Sequence, residues 1–406
     1  MKVFFRTIHL YLSLAAGLVI LTACLTGAIL VFEKELEEAF HPDRYHVNAG
    51  AYRKELSELI ANAKSEHPKA KLAGIKVYSD PERTVEVGLT IPQKEEKKED
   101  KVGGDKSAKK DKPQAGQGGP RPTHTAFLNP YTGKVIEVYS AKGSFFQTTM
   151  ALHRWLLGKN DGIGKYIVGV ATFIFLFILI TGVILWWPKT RRIFLQRIKV
   201  KWDGNWKRLN HDLHLVFGFY SAIFLFIFAF TAMSWSFEWF NKGIYKITNT
   251  SSDATEPPSS NYNGATKPIS IDEAFITLKS AVTDGVYYNI RFPKDSVGTY
   301  TATVLPPNVA ENRTDTYYID QYNQAMLGSL KFSDKNSGQQ VRTYIKPIHT
   351  SSIFGLPSKI LGFVVCLLGV TFPITGVIMW QNRLKAERIR KRKAVADPFE
   401  ARVGGS

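Results

Sequence analysis

The chain has 406 residues, 44% of them hydrophobic, and it carries 53 lysines and arginines against 35 acidic residues, a formal net charge of +18. Its apolar residues are concentrated in four uncharged runs. Each run is long enough to cross a hydrocarbon core, which takes roughly 20 residues of helix, and this excludes a soluble protein. The runs cover residues 10–32, 166–187, 215–235 and 360–380.

In chain order, the sequence predicts membrane helices that alternate with longer polar segments. The fold class is therefore an α-helical membrane protein with four transmembrane helices and two α+β domains outside the membrane. The predicted segments are transmembrane helix 1 (1–33), a first α+β domain (34–145), a histidine segment with helix 2 (146–188), a basic loop (189–210), helix 3 (211–237), a second α+β domain (238–345), a histidine segment with helix 4 (346–381) and a basic tail (382–406).

Basic residues predict which side of the membrane each segment faces. The loop 189–210 carries eight basic residues and one acidic residue, and the tail 382–406 carries eight and three. With Lys2 and Arg6, these pieces supply +14 of the net charge. Because basic juxtamembrane segments stay in the cytoplasm, both termini and the loop are expected there. Charge confined to such segments indicates affinity for anionic membrane lipid and excludes nucleic acid as a partner.

The two halves of the chain are similar to each other. Residues 8–10 (Ile-His-Leu) align with 213–215 (Leu-His-Leu), and Thr26 then meets Thr231 without a gap. Two later segments each begin with a histidine and close with Ile-Thr-Gly, at 180–182 and 374–376. Since each half runs through the membrane in the same direction, the sequence predicts two parallel repeats.

The polar segments predict the same order of elements in both halves. Helical spacing at 52–67 and 271–281 is followed by strand patterns at 73–78 and 84–89, and at 288–292 and 299–305. Hairpin-like stretches at 125–136 and 316–330 close the two segments. Residues 93–122, rich in Lys, Glu, Gly and Pro, cannot form a core and are predicted to be a disordered insertion.

Five of the nine histidines lie at ends of the membrane helices, where ionisable residues point to function. Three are on the inner side, His9, His211 and His214, and two are on the outer side, His153 and His349. Repeat symmetry predicts that His9 approaches His214, with His211 as the alternative, and that His153 approaches His349. Two facing imidazoles in a glycine-rich bundle suit a haem iron, whereas zinc favours more protein ligands. We therefore predict two haem b groups, one at each membrane face.

Other residues near these positions have less specific signals. Arg6, Arg154 and Arg208 lie within two turns of a candidate ligand and could pair with haem propionates or serve as headgroup anchors. No glycine-rich nucleotide loop is present, so electrons are expected from membrane quinol or from a cytoplasmic reductase. No hydrolytic triad or zinc-protease motif is found.

Several motifs together resemble a known family. They are Leu-His-Arg-Trp-Leu at 152–156, Asn-His-Asp-Leu-His at 210–214, Ile-His at 348–349, and the two Ile-Thr-Gly blocks. The combination is similar to the PepSY-associated transmembrane helix family of bacterial inner-membrane proteins, and the outer segments look like PepSY domains. The resemblance implies a multi-pass inner-membrane location with both α+β domains in the periplasm.

Members of that family include haem-containing reductases of ferric siderophores. The resemblance therefore implies an oxidoreductase that reduces a ferric siderophore, or another periplasmic iron chelate, for iron uptake. Two other functions stay open: a haem electron-transfer protein for a different acceptor, such as copper or a protein, and a non-redox anchor whose PepSY units bind peptides or restrain a peptidase. Paired histidines at both faces argue against the last.

Overall fold

The computed structural model describes residues 2–92, 122–252, 256–262, 264 and 266–396. These residues form two compact units. The helical unit comprises the chain up to Glu33, Thr148–Asn241 and the chain from Ile345, and the sheet unit comprises the described parts of Lys34–Gln147 and Lys242–Tyr344. The predicted insertion at 93–122 lies, apart from its last residue, outside the described residues.

Twelve α-helices and eight β-strands are assigned in the described residues. The helices are α1 (Lys2–Val31), α2 (Glu33–Phe40), α3 (Pro42–Tyr45), α4 (Leu56–Glu66), α5 (Phe145–Trp155), α6 (Ile163–Trp186), α7 (Arg191–Arg197), α8 (Trp206–Ser236), α9 (Glu238–Ile247), α10 (Ile271–Ala281), α11 (Ser337–His349) and α12 (Leu356–Ala396). The strands are β1 (Lys71–Tyr78), β2 (Val85–Thr90), β3 (His124–Leu128), β4 (Val135–Tyr139), β5 (Tyr287–Arg291), β6 (Tyr300–Leu305), β7 (Asp315–Ile319) and β8 (Met326–Leu330).

Four helices, α1, α6, α8 and α12, are long and apolar enough to cross a membrane. They coincide with the four predicted runs, which confirms a multi-pass membrane protein. In hydrocarbon, a helix satisfies its backbone hydrogen bonds internally, so apolar side chains can cover its whole surface. Local sequence sets where α8 begins, because the Asn205 side chain caps it by accepting the Arg208 backbone N–H at 2.9 Å.

The four long helices pack in a ring. α1 and α8 each contact both α6 and α12. A buried apolar core lies between them, in which Ala16, Cys24 and Ala171 stand beside larger residues such as Ile20 and Leu225; the small residues allow close helix approach. Large apolar side chains cover the outside, such as Leu18 at 78% exposure. This surface is suited to contact with lipid rather than water.

The sheet unit contains one antiparallel sheet of eight strands in the order β4-β3-β2-β1-β5-β6-β7-β8. Each predicted α+β segment supplies four strands, and β1 pairs with β5, placing Ile75 opposite Ile290. The two segments therefore share one sheet and one hydrophobic core, to which α4 and α10 contribute Leu59 and Leu278.

A glycine permits the pairing at the centre of the sheet. A Cβ at Gly74 would lie 2.7 Å from the backbone oxygen of Ile290, closer than side chains tolerate. The register of β1 against β2 shifts at the same place, between Leu72 and Gly74. The irregularity and the missing side chain together let β5 approach β1.

Candidate functional site

Four of the five candidate histidines make the same contact in the helical unit. Each Nδ1 atom lies within hydrogen-bond distance of a threonine hydroxyl on a neighbouring helix. The pairs are His9–Thr181 (3.0 Å), His153–Thr26 (2.9 Å), His214–Thr375 (2.7 Å) and His349–Thr231 (3.1 Å).

The hydrogen-bond network assigns the proton on each ring. Every one of these threonine hydroxyls also lies near a backbone oxygen of its own helix, for example Thr26 Oγ1 at 2.6 Å from the Thr22 oxygen. Because a carbonyl oxygen only accepts, the hydroxyl donates there and its oxygen accepts from the histidine. His9 and His349 also lie 3.1 Å and 3.0 Å from backbone oxygens.

It follows that Nδ1 carries the hydrogen in these rings and that Nε2 is the unprotonated nitrogen. A metal-binding histidine commonly has this arrangement, in which the second nitrogen donates to a partner that fixes the ring. The threonines thus hold the imidazoles in the tautomer that a metal requires.

Glycines lie beside three of the imidazole rings. A Cβ at Gly27, Gly182 or Gly376 would lie 3.5, 3.3 or 3.6 Å from the Cε1 atom of His153, His9 or His214, respectively. Each glycine directly follows a threonine that contacts the same ring, and Ala232 occupies the corresponding position after Thr231. The three glycines therefore let each ring lie close against the neighbouring helix.

The outer pair has a separation suited to a shared metal ion. The ring centroids of His153 and His349 are 6.3 Å apart. Two metal–nitrogen bonds of about 2 Å, with about 1.2 Å from each nitrogen to its ring centroid, require a separation of about 6.4 Å. Burial lowers the pKa of both rings from the ordinary value, and the neighbouring His153 lowers the pKa of His349 further. Both imidazoles are therefore neutral at neutral pH.

The inner histidines differ in their surroundings. His214 contacts Thr375 and lies 5.6 Å, between ring centroids, from Phe372. His211 is half-exposed, and its Nδ1 lies 3.4 Å from a carboxylate oxygen of Asp212. Arg208 in turn pairs with Asp212 at 2.8 Å. His214, and not His211, thus occupies the position that corresponds to His9, and its role as a ligand stays a prediction.

The two candidate sites lie far apart along the bundle. Seventeen residues separate His9 from Thr26 in α1, and the same number separates His214 from Thr231 in α8. At the helical rise this spacing corresponds to about 25 Å. One histidine pair is therefore near each end of the membrane helices.

The residues at each end of the bundle are compatible with a haem. In the described ranges, no group of three or more His, Cys, Asp or Glu side chains could hold a metal. A haem iron needs only axial ligands from the protein, and two imidazoles can supply them. The histidine pairs and the glycines beside them fit such a group.

Sequence reasoning identified the histidines but missed the threonines as their partners. Thr26 and Thr231 served there only as markers of the repeat, as did the two Ile-Thr-Gly blocks. The signal was present, because a threonine–glycine step recurs at 26–27, 181–182 and 375–376. Of the three arginines considered, Arg208 pairs with Asp212, and Arg154 lies 4.9 Å from the centroid of the Trp155 ring.

Comparison with known proteins identifies one family. The profile of the PepSY-associated TM region matches residues 6–383, nearly the whole chain. No curated protein matches the chain.

Proposed function

We propose that this chain, which belongs to the PepSY-associated transmembrane family, functions as a dihaem oxidoreductase of the bacterial inner membrane. In this proposal the protein carries electrons to the periplasmic side and reduces a ferric siderophore or another ferric chelate. The observation that supports it best is the set of four histidine–threonine pairs, two near each end of the bundle, in which Nδ1 makes the hydrogen bond and Nε2 is the nitrogen left for a metal.

His153 and His349 would hold the outer haem, and His9 and His214 the inner one. A bound haem supplies a centre that gains and loses one electron. The chain contributes fixed imidazole orientation through the threonines and space through the glycines. The apolar helices exclude water between the two ends of the bundle. One carrier at each end meets the need for electron transfer across an insulating bilayer.

The proposed orientation follows from charge. The segment α7 and the end of α12 carry clusters of basic residues, including Arg191, Arg197 and Arg383, and such clusters face the cytoplasm. The sheet unit would then lie in the periplasm, where it could bind the chelate. Reduction of chelated Fe(III) to Fe(II) consumes one electron and weakens the bonds to hard oxygen ligands.

The first test is an absorbance spectrum of the detergent-purified protein, oxidised and dithionite-reduced, with haem quantified per chain. A reducible b-type spectrum with about two haems per chain supports the cofactor assignment. A protein produced with ample haem but lacking it would overturn the redox function and leave peptide binding by the sheet unit as the function to test.

The second test concerns the acceptor. The reduced protein is mixed without oxygen with trihydroxamate or triscatecholate siderophores that hold Fe(III), and released Fe(II) is trapped with a coloured chelator. The matched control is the same siderophore holding Ga(III), which has the same charge but cannot be reduced. Reoxidation by the iron form alone supports the reductase function, whereas reoxidation by none of the ferric chelates would point to a different acceptor.

A further inference from the structure

Two buried indole N–H groups in the helical unit have no hydrogen-bond partner among the described residues. They belong to Trp155 and Trp186. Trp155 lies two residues after His153, and Trp186 lies five residues after Thr181, the partner of His9. Each indole is therefore on a segment that builds one of the two candidate sites.

An unpaired donor in this environment is costly. Burial of a polar group without a hydrogen bond is unfavourable, and hydrocarbon offers no water as a substitute. Native proteins therefore pair nearly all buried donors, and an exception calls for a physical explanation. A donor that pairs with a bound molecule provides one.

An arginine accompanies each indole. The Cζ atom of Arg154 lies 4.9 Å from the centroid of the Trp155 ring. Arg197 donates to the backbone oxygens of Trp186 and Leu185. Neither guanidinium has a salt bridge to a carboxylate within the described part of the chain. An indole N–H and a guanidinium that contacts the same tryptophan residue can together serve as donors to an anionic, acceptor-only group such as a carboxylate.

Packing holds both tryptophan residues. Trp186 stacks on Phe219 with 3.6 Å between ring centroids and 7° between ring planes. The Trp155 carbonyl accepts the Gly158 N–H at 2.9 Å and lies against Gly164, where a Cβ would collide with it. The stacking limits the direction in which the Trp186 N–H can point, and the backbone contacts hold the main chain of Trp155.

The positions along the helices suit carboxylates near the membrane surfaces. Trp155 ends α5, which precedes α6, and Trp186 is the last residue of α6. Five residues of helix place Trp186 about 7.5 Å beyond Thr181, toward the end of the span. A charged carboxylate is less costly there than deeper in the bundle.

We propose that Trp155 with Arg154, and Trp186 with Arg197, bind the haem propionates at the outer and inner sites. This inference rests on the proposed function, since it needs haem at both sites. It assigns one specific task to the two indoles: each donates a hydrogen bond to a propionate oxygen, and the arginine supplies the opposite charge.

The test uses Trp155→Phe and Trp186→Phe, which keep an aromatic ring and remove the N–H. The matched control is Trp187→Phe, at a tryptophan next to Trp186 that is 64% exposed. The measurement is the rate of haem transfer from each purified protein to excess apomyoglobin. In each test variant, one of the two haems should dissociate about tenfold faster than in the wild type, as expected for loss of a hydrogen bond to a charged group. The control should match the wild type.

Reconstitution with haem dimethyl ester, which lacks the free carboxylates, distinguishes a hydrogen bond from indole to propionate from a role of the indole in packing alone. The wild type should lose the ester faster than haem, and the two variants should lose it at the wild-type rate. Variants that release haem at the wild-type rate would overturn the inference and leave the proposed function intact. Variants that accelerate loss of the ester as much as loss of haem would also overturn it. A wild-type protein without haem would overturn both.

Discussion

The two units of the molecule use their buried polar groups differently. In the sheet unit, charged groups pair with one another: Arg44 makes two hydrogen bonds with Glu137, at 2.9 and 2.8 Å, and Tyr78 donates to Glu86 at 2.6 Å. In the helical unit, four imidazoles contact threonine hydroxyls through Nδ1, and two buried indole N–H groups have no protein partner in the described structure.

This difference indicates where each unit obtains its stability and where binding can occur. Paired charges and a continuous apolar core stabilise the sheet unit. The unpaired indole donors of the helical unit are where we propose that a ligand binds. Substitutions in the two units should therefore have separable effects, and the following predictions test that separation.

The largest effect is expected at the outer histidines. His153→Ala or His349→Ala removes an axial ligand, so the purified protein should contain about one haem per chain instead of two. Haem is measured by the pyridine haemochrome assay. His46→Ala, in the sheet unit, is the control and should leave the content unchanged. Unaltered haem in both outer variants would show that these histidines are not ligands.

A large effect confined to stability is expected at the centre of the sheet. Gly74→Ala places a Cβ 2.7 Å from the Ile290 oxygen, and we expect a loss of about 2 kcal/mol in the free energy of unfolding of the sheet unit. Hydrogen exchange at the backbone amides of β1 and β5 measures it. Because the helical unit is not altered, haem content should stay the same, and a parallel loss of haem would contradict the separation.

A smaller effect on cofactor binding is expected at the threonines. Thr26→Val keeps the side-chain shape but removes the oxygen that accepts from His153 Nδ1, so the outer haem should dissociate about 10-fold faster. Thr22→Val is the control, since Thr22 lies one turn earlier in α1 and bonds only its own helix. Equal rates in the two variants would show that the threonine does not orient the ring.

The smallest effect is expected from the insertion. Residues 94–117 have the composition of a segment that cannot form a core. Their deletion should change neither haem content nor membrane insertion, measured by spectrum and by membrane fractionation. A loss of expression would show that this segment packs against the rest of the protein.

Much of the fold could be predicted from local sequence. The uncharged runs locate the four long helices, and α10 forms at the predicted residues, with Ser270 and Glu273 providing its capping box. The pairing of β1 with β5 could not be predicted, because it joins strands more than 200 residues apart. Such a contact depends on which strand edges meet, and a periodicity of two residues carries no information about that.

The candidate site shows the same limit. Helix-end position and repeat matching identified His9, His153, His214 and His349, since ionisable residues are rare near apolar segments. The same reasoning left His211 and His214 as alternatives, because both lie on one face of α8. His211 lies near Asp212 of its own helix, whereas His214 contacts Thr375 of α12. Which of the two faces α12 depends on how α8 is rotated, and spacing within one helix cannot determine that rotation.

The central strand pair has a consequence for the two halves of the chain as separate pieces. Without β5, strand β1 would be an edge strand with unpaired backbone groups. Side chains that are buried in the whole protein, such as Ile75 and Val77, would be exposed to solvent. Such edges recruit other strands and promote aggregation. A truncation after the first half would therefore aggregate through its sheet segment, whereas co-expression of the two halves would let β1 and β5 cover each other.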